Sequence, residues 1–262
     1  MSRSGYYAWL HRPEPDSVES DRQLLKLITK IYERSHGRYG SPRVFHTLSQ
    51  MGVRTSEKRV ARLMRESGLK ARVTRVTRRQ PGLKRFQSKG KNLLLEGGGA
   101  TGIDQVWVAD VTYIKLDGKW TYLATIMDQY SRRILGWSLA YTRTTGLTKA
   151  ALKYAIKKDR NSESVILHTD RGVEFTGAEF QNLLKENGMH HSVNRPGCCT
   201  DNAYMESFYH SLKGELIRKR TFGNFRQLHR ELGQYINQFY NSVRLHSGLG
   251  YTSPIQYEQM AA

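Results

Sequence analysis

The period of the apolar residues changes partway along the chain, and that change divides it. In DRQLLKLITKIYERS, Leu24, Leu25, Ile28, Ile31 and Tyr32 fall at helical spacing, which predicts one amphipathic helix. RYGSPRVFHTLSQMG predicts a second, with Pro42 near its start and Gly52 at its end. TSEKRVARLMRESGL predicts a third, capped by Thr55 or Ser56 and striped by Val60, Leu63 and Met64. Two short helices around a glycine-containing turn, the last of them basic, describe a helix-turn-helix. A purely structural bundle is the other reading of the same pattern.

Farther along, the period becomes two. QVWVADVTYIKL alternates, Asp117-Gly118 is a hairpin signal, and KWTYLATIMDQYS and RRILGWSLAYT return as second and third strands. Then come a helix in TGLTKAALKYAIKK, a short apolar strand in SVILHTD, a helix in AEFQNLLKENG and a short strand near HHSV. This order predicts an α/β sheet of mixed direction covered by helices. The helix predicted for DNAYMESFYHSLKGEL has two faces. Met205, Phe208, Leu212 and Leu216 form an apolar stripe, with Thr200 or Asp201 available as the cap. Asn202, Glu206, Tyr209 and Lys213 share the neighbouring face, which taken alone is a solvated flank.

The 262 residues, enough for one or two domains, carry 42 Lys and Arg against 23 Asp and Glu, a net charge of +19. Such an excess points to a polyanion, nucleic acid before an anionic membrane surface. Residues 1–100 hold 22 basic and 8 acidic residues, the rest 20 and 15, so the front is far more basic than the back. The run 70–91 has nine Lys and Arg and no acid. It repels itself until something anionic neutralises it, unless it is simply a solvated linker. EGGGATG follows as a flexible join. No apolar run is long enough to span a membrane, and MSRSGYYAWLHRPEP has no apolar signal core. Adjacent Cys198 and Cys199 cannot build a disulfide scaffold, so a reducing cytoplasm fits. With His190 and His191 they form two vicinal pairs, a poor spacing for zinc.

Three acids fall where a site could form. Asp110 lies mid-strand beside Trp107, Val108, Val111 and Tyr113, where a carboxylate is costly unless paired, hydrogen-bonded or bound to a cation. Asp170 ends the strand SVILHTD, and Glu206 lies on the later helix. If that helix packs beside the first strand, the three carboxylates converge. Such a set can hold two divalent cations about 3.5–4 Å apart for phosphoryl transfer, and Mg²⁺ suits hard oxygen ligands. The bland alternative has Asp110 satisfied by backbone donors and the others at the surface. His168 and His210 are not assigned as ligands, and Trp107 and Tyr113 are expected in the core.

WVADVTYI, LHTDRGVEF and DNAYMESFYHSLKGEL, in this order, resemble the catalytic core of integrase-type DDE transposases. More narrowly, they resemble the longer, catalytic product of two-frame bacterial insertion sequences, whose core is similar to retroviral integrase. YNSVRLHSGLGYTSPIQYE resembles the family's closing segment through Tyr240, Asn241, Arg244, His246, Leu249 and Pro254, and RYGSPRVF its preceding helix-turn-helix. The resemblance implies a ribonuclease-H-like core, a mixed five-stranded sheet with helices, preceded by a small all-α domain. The expected division is 1–69 helix-turn-helix, 70–102 linker, 103–222 core and 223–262 a tail completing the core. It also implies Asp110, Asp170 and Glu206 as ligands of two Mg²⁺ ions, with Mn²⁺ substituting, and thirty-five residues lie between the last two.

Lys213 matches a position expected to contact the terminal DNA. Arg43, Lys58, Arg59 and Arg62 of the front helices and Arg75, Arg78, Arg79, Lys84 and Arg85 of the basic run are the other expected DNA contacts. Expected partners are double-stranded DNA, as terminal repeats and target, a second copy at least, and an upstream-frame helix-turn-helix protein; no membrane is expected. The expected location is the bacterial cytoplasm, at the nucleoid. Thr169 stands where the family usually has serine, and the join is unusually rich in glycine. A non-catalytic DNA-binding regulator and a structure-selective nuclease of the same fold are the rival functions.

Overall fold

The computed structural model describes residues 2–10, 16–72, 91–94, 99–156, 163–195, 202–218 and 220–261. Most of the basic run, part of the glycine-rich join, Cys198, Cys199, Thr200 and Asp201 lie outside the described residues. The chain divides into two compact units, Met1–Thr74 and Arg75–Ala262.

The first unit is helical: α1 (Arg3–Leu10), α2 (Asp16–Arg34), α3 (Ser41–Gln50) and α4 (Glu57–Glu66). Leu24, Ile28 and Ile31 of α2 are buried, as are Val44 and Leu48 of α3 and Val60, Leu63 and Met64 of α4. Pro42 sits in the first turn of α3, where its missing N–H costs nothing. Ser56 is the cap of α4, its hydroxyl accepting from Arg59 N at 3.2 Å.

The second unit is built on a five-stranded sheet in the order β3-β2-β1-β4-β5. Its strands are β1 (Val106–Leu116), β2 (Lys119–Asp128), β3 (Ile134–Ala140), β4 (Ile166–Thr169) and β5 (His190–Val193). The first three form an antiparallel meander, whereas β4 pairs in parallel with β1 and β5. Asp117 and Gly118, both at positive φ, make the tight β1–β2 turn expected of an Asp-Gly pair. Both sheet faces are covered. Trp107, Ala109 and Ile126 pack with α5 (Thr145–Ile156) and, beyond the short α6 (Val173–Thr176), with α7 (Ala178–Glu186). Gly136 of β3 lies so close to α5 that an added Cβ would sit 2.2 Å from the Ala151 carbonyl.

The other face packs Val106, Val108 and Ile114 against α8 (Ala203–Leu212) and the C-terminal segment. The predicted apolar stripe is buried throughout. The predicted single helix, however, changes to π-helical hydrogen bonding over Lys213–Ile217, and Asn202 takes the cap position without a side-chain cap bond. After α9 (Phe225–Gly233), a second π-helical turn (Gln234–Tyr240) leads to α10 (Pro254–Ala261). Leu228, Leu232, Tyr235, Ile236 and Tyr240 enter the same core as β1. Asn241 uses its amide to pair with both N–H and C=O of Ile134, at 2.9 Å each. Arg244 forms a buried ion pair with Glu215 at 2.7 Å, and the Tyr235 hydroxyl donates to the same carboxylate at 2.8 Å.

Candidate active site

Strand register sets two of the three acids side by side. The last pair of the β1–β4 ladder is Ala109 with Thr169, so Asp110 and Asp170 are the next positions along the two neighbouring segments. Paired strands lie about 4.8 Å apart. Asp170 stands where the short β4 stops, whereas β1 runs on to Leu116. A backbone N–H orients each carboxylate. Val111 N donates to Asp110 Oδ1 at 2.7 Å and Gly172 N to Asp170 Oδ1 at 2.9 Å.

Helix α8 crosses β1 at this point. Asn202 Nδ2 donates to the Ala109 carbonyl at 3.1 Å, and the Tyr209 hydroxyl to the Asp110 carbonyl at 2.6 Å. That hydroxyl also lies 2.7 Å from Thr125 Oγ1, the β2 partner of Asp110. Burial and then Asp110 push the Tyr209 phenol well above its ordinary pKa, so it remains a neutral donor. The face taken for a solvated flank is thus half buried. Glu206 lies four residues after Asn202 and three before Tyr209, on the helix face the two anchors define, and is exposed. Among the described residues no three His, Cys, Asp or Glu gather as a ready metal cage. Register brings Asp110 and Asp170 to neighbouring positions, and Glu206 lies on the helix that crosses β1 beside them.

Two residues without a role predicted from sequence, Arg143 and Glu174, organise the charge around the pair. Arg143 Nε, from the segment after β3, donates to Glu174 Oε1 at 2.7 Å. Arg143 Nη2 contacts the same oxygen and lies 3.8 Å from Asp170 Oδ2. Glu174 is buried. Burial alone would lower the Arg143 pKa, but the Glu174 bond and charge outweigh it, and the net shift is upward. A Cβ on Gly172 would fall 2.4 Å from Glu174 Oε1, so the turn after Asp170 needs glycine to admit this carboxylate. LHTDRGVEF contains Glu174, yet nothing local ties it to an arginine thirty-one positions earlier.

Lys213 opens the π-helical turn. Burial lowers its pKa and Asp110 opposes that shift, so the ammonium feels the carboxylate. Its Nζ lies 4.7 Å from the centre of the Tyr113 ring. Tyr113, expected in the core, is only partly buried; Trp107 is fully buried.

His168 is buried, with Nδ1 2.9 Å from Ser192 Oγ. His191 contacts Thr169 Oγ1 at 3.0 Å and Gln181 Nε2 at 2.8 Å, and burial, with His168 beside it, pulls its pKa down to about 4. These rings hold strand ends together, while His210 is exposed.

In the helical unit, Lys58 is exposed and the Arg43 guanidinium lies 5.7 Å from the Tyr39 ring centre. Arg59 and Arg62 both pair with Asp21 at 2.6 Å. Arg75, Arg78, Arg79, Lys84 and Arg85 lie outside the described residues. Among the described residues no helix is long and apolar enough to cross a membrane.

Comparison with known proteins agrees with this layout. An HTH-like domain matches residues 19–77, and integrase core domains match residues 100–199 and 206–261. Transposase InsF for insertion sequence IS3A of Escherichia coli (strain K12) is 36% identical over 98% of this chain and 90% of its own length. The transposase for insertion sequence element IS904 of Lactococcus lactis subsp. lactis (strain IL1403) is 35% identical over 95% and 99%. The HTLV-2 integrase catalytic core domain in complex with magnesium matches 60% of this chain and 98% of its own at 18% identity and a TM-score of 0.47. A mixed five-stranded integrase-type sheet that follows an HTH-like unit in the sequence, with relatives matched over nearly their whole length, places the chain in the family of IS3-type insertion-sequence transposases, enzymes of DNA transposition.

Proposed function

We propose that Asp110, Asp170 and Glu206 form a DDE site that uses two Mg²⁺ ions, with Mn²⁺ able to substitute, to cleave and join DNA at the ends of an insertion sequence. The observation carrying this reading is the parallel β1–β4 register, with α8 anchored across it by Asn202 and Tyr209 on either side of Glu206. The donor set fits the ions, because it consists of hard carboxylate oxygens, two of them adjacent and oriented by backbone N–H groups. When bound, the ions supply Lewis-acid stabilisation of the attacking and leaving oxygens at a phosphate. Around them Arg143 balances the charge of Asp170 and Glu174, and Lys213 positions a DNA phosphate beside Asp110. Water first frees a 3′-hydroxyl at the element end; that hydroxyl then attacks a second phosphodiester, with no covalent protein intermediate. The helical unit, through Arg43, Lys58, Arg59 and Arg62, and the run containing Arg75, Arg78, Arg79, Lys84 and Arg85 bind the terminal repeat. Joining two ends requires at least two copies, acting with an upstream-frame partner on DNA in the cytoplasm.

The test uses labelled duplexes ending in the element's inverted repeat, with Mg²⁺ or Mn²⁺, comparing wild type with Glu206→Gln. The variant is expected to bind DNA but lose cleaved and joined products by at least about 10³-fold, as for removal of an essential group. Chemistry that survives the substitution would remove Glu206 from the site. Binding without chemistry in wild type, with the partner present, would favour the regulator.

A further inference from the structure

The far half of the β1–β2 hairpin carries a series of cations and aromatic rings that begins at Lys213. Because β4 ends at Thr169, residues 111–116 of β1 are paired with β2 alone. Beside this stretch Lys213 Nζ lies 4.7 Å from the Tyr113 ring centre. The Tyr113 ring meets the Trp120 ring edge-on at 5.0 Å. Lys115 Nζ, from the residue opposite Trp120 in the ladder, lies 5.9 Å from the Trp120 ring centre. Trp120 is 49% exposed although it is the largest side chain of this far half, whereas Trp107 of the near half is fully buried, and Lys115 and Lys119 flank Trp120 in solvent.

Cation–ring contacts of this kind contribute about 0.5–1 kcal/mol at exposed sites, which does not account for leaving half a tryptophan in water. A nucleic acid supplies both missing complements, phosphates for the ammonium groups and a base for the ring. Stacking on an exposed aromatic beside a positive track is how proteins hold single-stranded nucleotides. Within a duplex the paired bases present only edges to a side chain, whereas a base released from its partner at an end can turn its whole face onto the ring.

We propose that Tyr113 and Trp120 form a stacking platform for an unpaired base at the DNA end, with Lys213 and Lys115 holding phosphates on its two sides. This rests on the site assigned above, since it makes the hairpin the surface over which the reacting strand leaves Asp110. It predicts a preference for frayed or tailed ends over flush ones.

Binding is measured with full-length protein carrying Glu206→Gln, so that no turnover intervenes. The probes are two duplexes of the terminal repeat, one flush and one with a short unpaired 3′ tail, each containing 2-aminopurine at the end. Trp120→Ala should weaken binding of the tailed duplex about 10-fold, the scale of one stacked base, and abolish quenching of its 2-aminopurine. Binding of the flush duplex should change less than twofold, and Trp120→Phe should keep most of the preference. Equal weakening on both duplexes, or none on either, overturns the platform. So does a change in self-association, followed by sedimentation, with quenching unchanged, because that would make Trp120 a contact between copies. Since binding is read without chemistry, failure of the triad assignment would appear in the strand-transfer assay and leave this result intact.

Discussion

The two units deploy charge in opposite ways. In the helical unit the arginines pair at the surface: Asp21 holds both Arg59 and Arg62, with side chains 23–45% exposed. Such pairs are screened by salt and contribute little to folding. In the second unit Arg244 and Glu215 form their pair with 6% and 1% of their side chains exposed, and Tyr235, Ser211 and His246 add contacts to it. Here the charges are desolvated, and their geometry joins the turn bearing Lys213 to the C-terminal segment. The first arrangement leaves positive charge that can be exchanged for phosphate. The second commits its charge to fixing where α8 and the π-helical turn sit.

If that contrast is right, breaking the buried pair from one side is the most damaging substitution outside the three acids. Arg244→Met strands Glu215 without a counter-charge and should cost about 3–5 kcal/mol in urea unfolding of the full chain. Adding Glu215→Leu should recover much of the loss, because the uncompensated carboxylate goes with it. A single-variant cost below about 1 kcal/mol would place this pair in the same class as the surface pairs.

A second difference should appear with pH. His191 is held neutral by burial and by His168, with a folded pKa of about 4 against an unfolded value of 6.5. Above pH 6.5 both states are neutral and the full contribution is present. As pH falls from 6.5 to 4 the unfolded chain takes up the proton first, and about 3 kcal/mol of stability is lost. Urea midpoints of wild type at pH 7 and 4.5 should therefore differ by more than those of His191→Gln. Parallel shifts in both proteins would assign the acid sensitivity to other groups.

The parts of this molecule legible in the sequence are those with a local period. Alternation marked β1, β2 and β3, the Asp-Gly pair marked their turn, and helical stripes marked α2, α3, α4 and the buried face of α8. Asp110 stood out because a carboxylate in an apolar strand needs a reason. Its adjacency to Asp170 depends on a parallel pairing between positions sixty apart in the chain, so the residues alone leave convergence conditional on packing, and the family resemblance supplies the match. Arg143 with Glu174, and Arg244 with Glu215, are pairs thirty-one and twenty-nine positions apart that leave no periodic trace. Tyr113 was misjudged for a related reason. Alternation predicts which side of a strand a residue takes, but not that β4 stops early and leaves that part of β1 without a second neighbour.

The smallest expected effect tests the front unit. Asp21 is shared by two arginines of α4, and Glu66 takes a second bond from Arg62 at 3.0 Å. These partners hold the Asp21 carboxyl below its usual pKa through the Arg62 and Arg59 hydrogen bonds, so it is charged at neutral pH. Asp21→Asn removes that charge, keeps the side-chain shape and should barely move the melting temperature. It should raise affinity for the terminal-repeat duplex several-fold at low salt. If one of the released arginines gains a phosphate, the slope of log K against log salt should also steepen by about 0.9. Weaker binding, with the salt slope unchanged, would mean that Asp21 aims Arg59 and Arg62 at the DNA instead of competing with it. The surface pairs of the helical unit would then be positioning devices, as the buried pair of the core is, and the contrast between the two units would narrow to one of exposure.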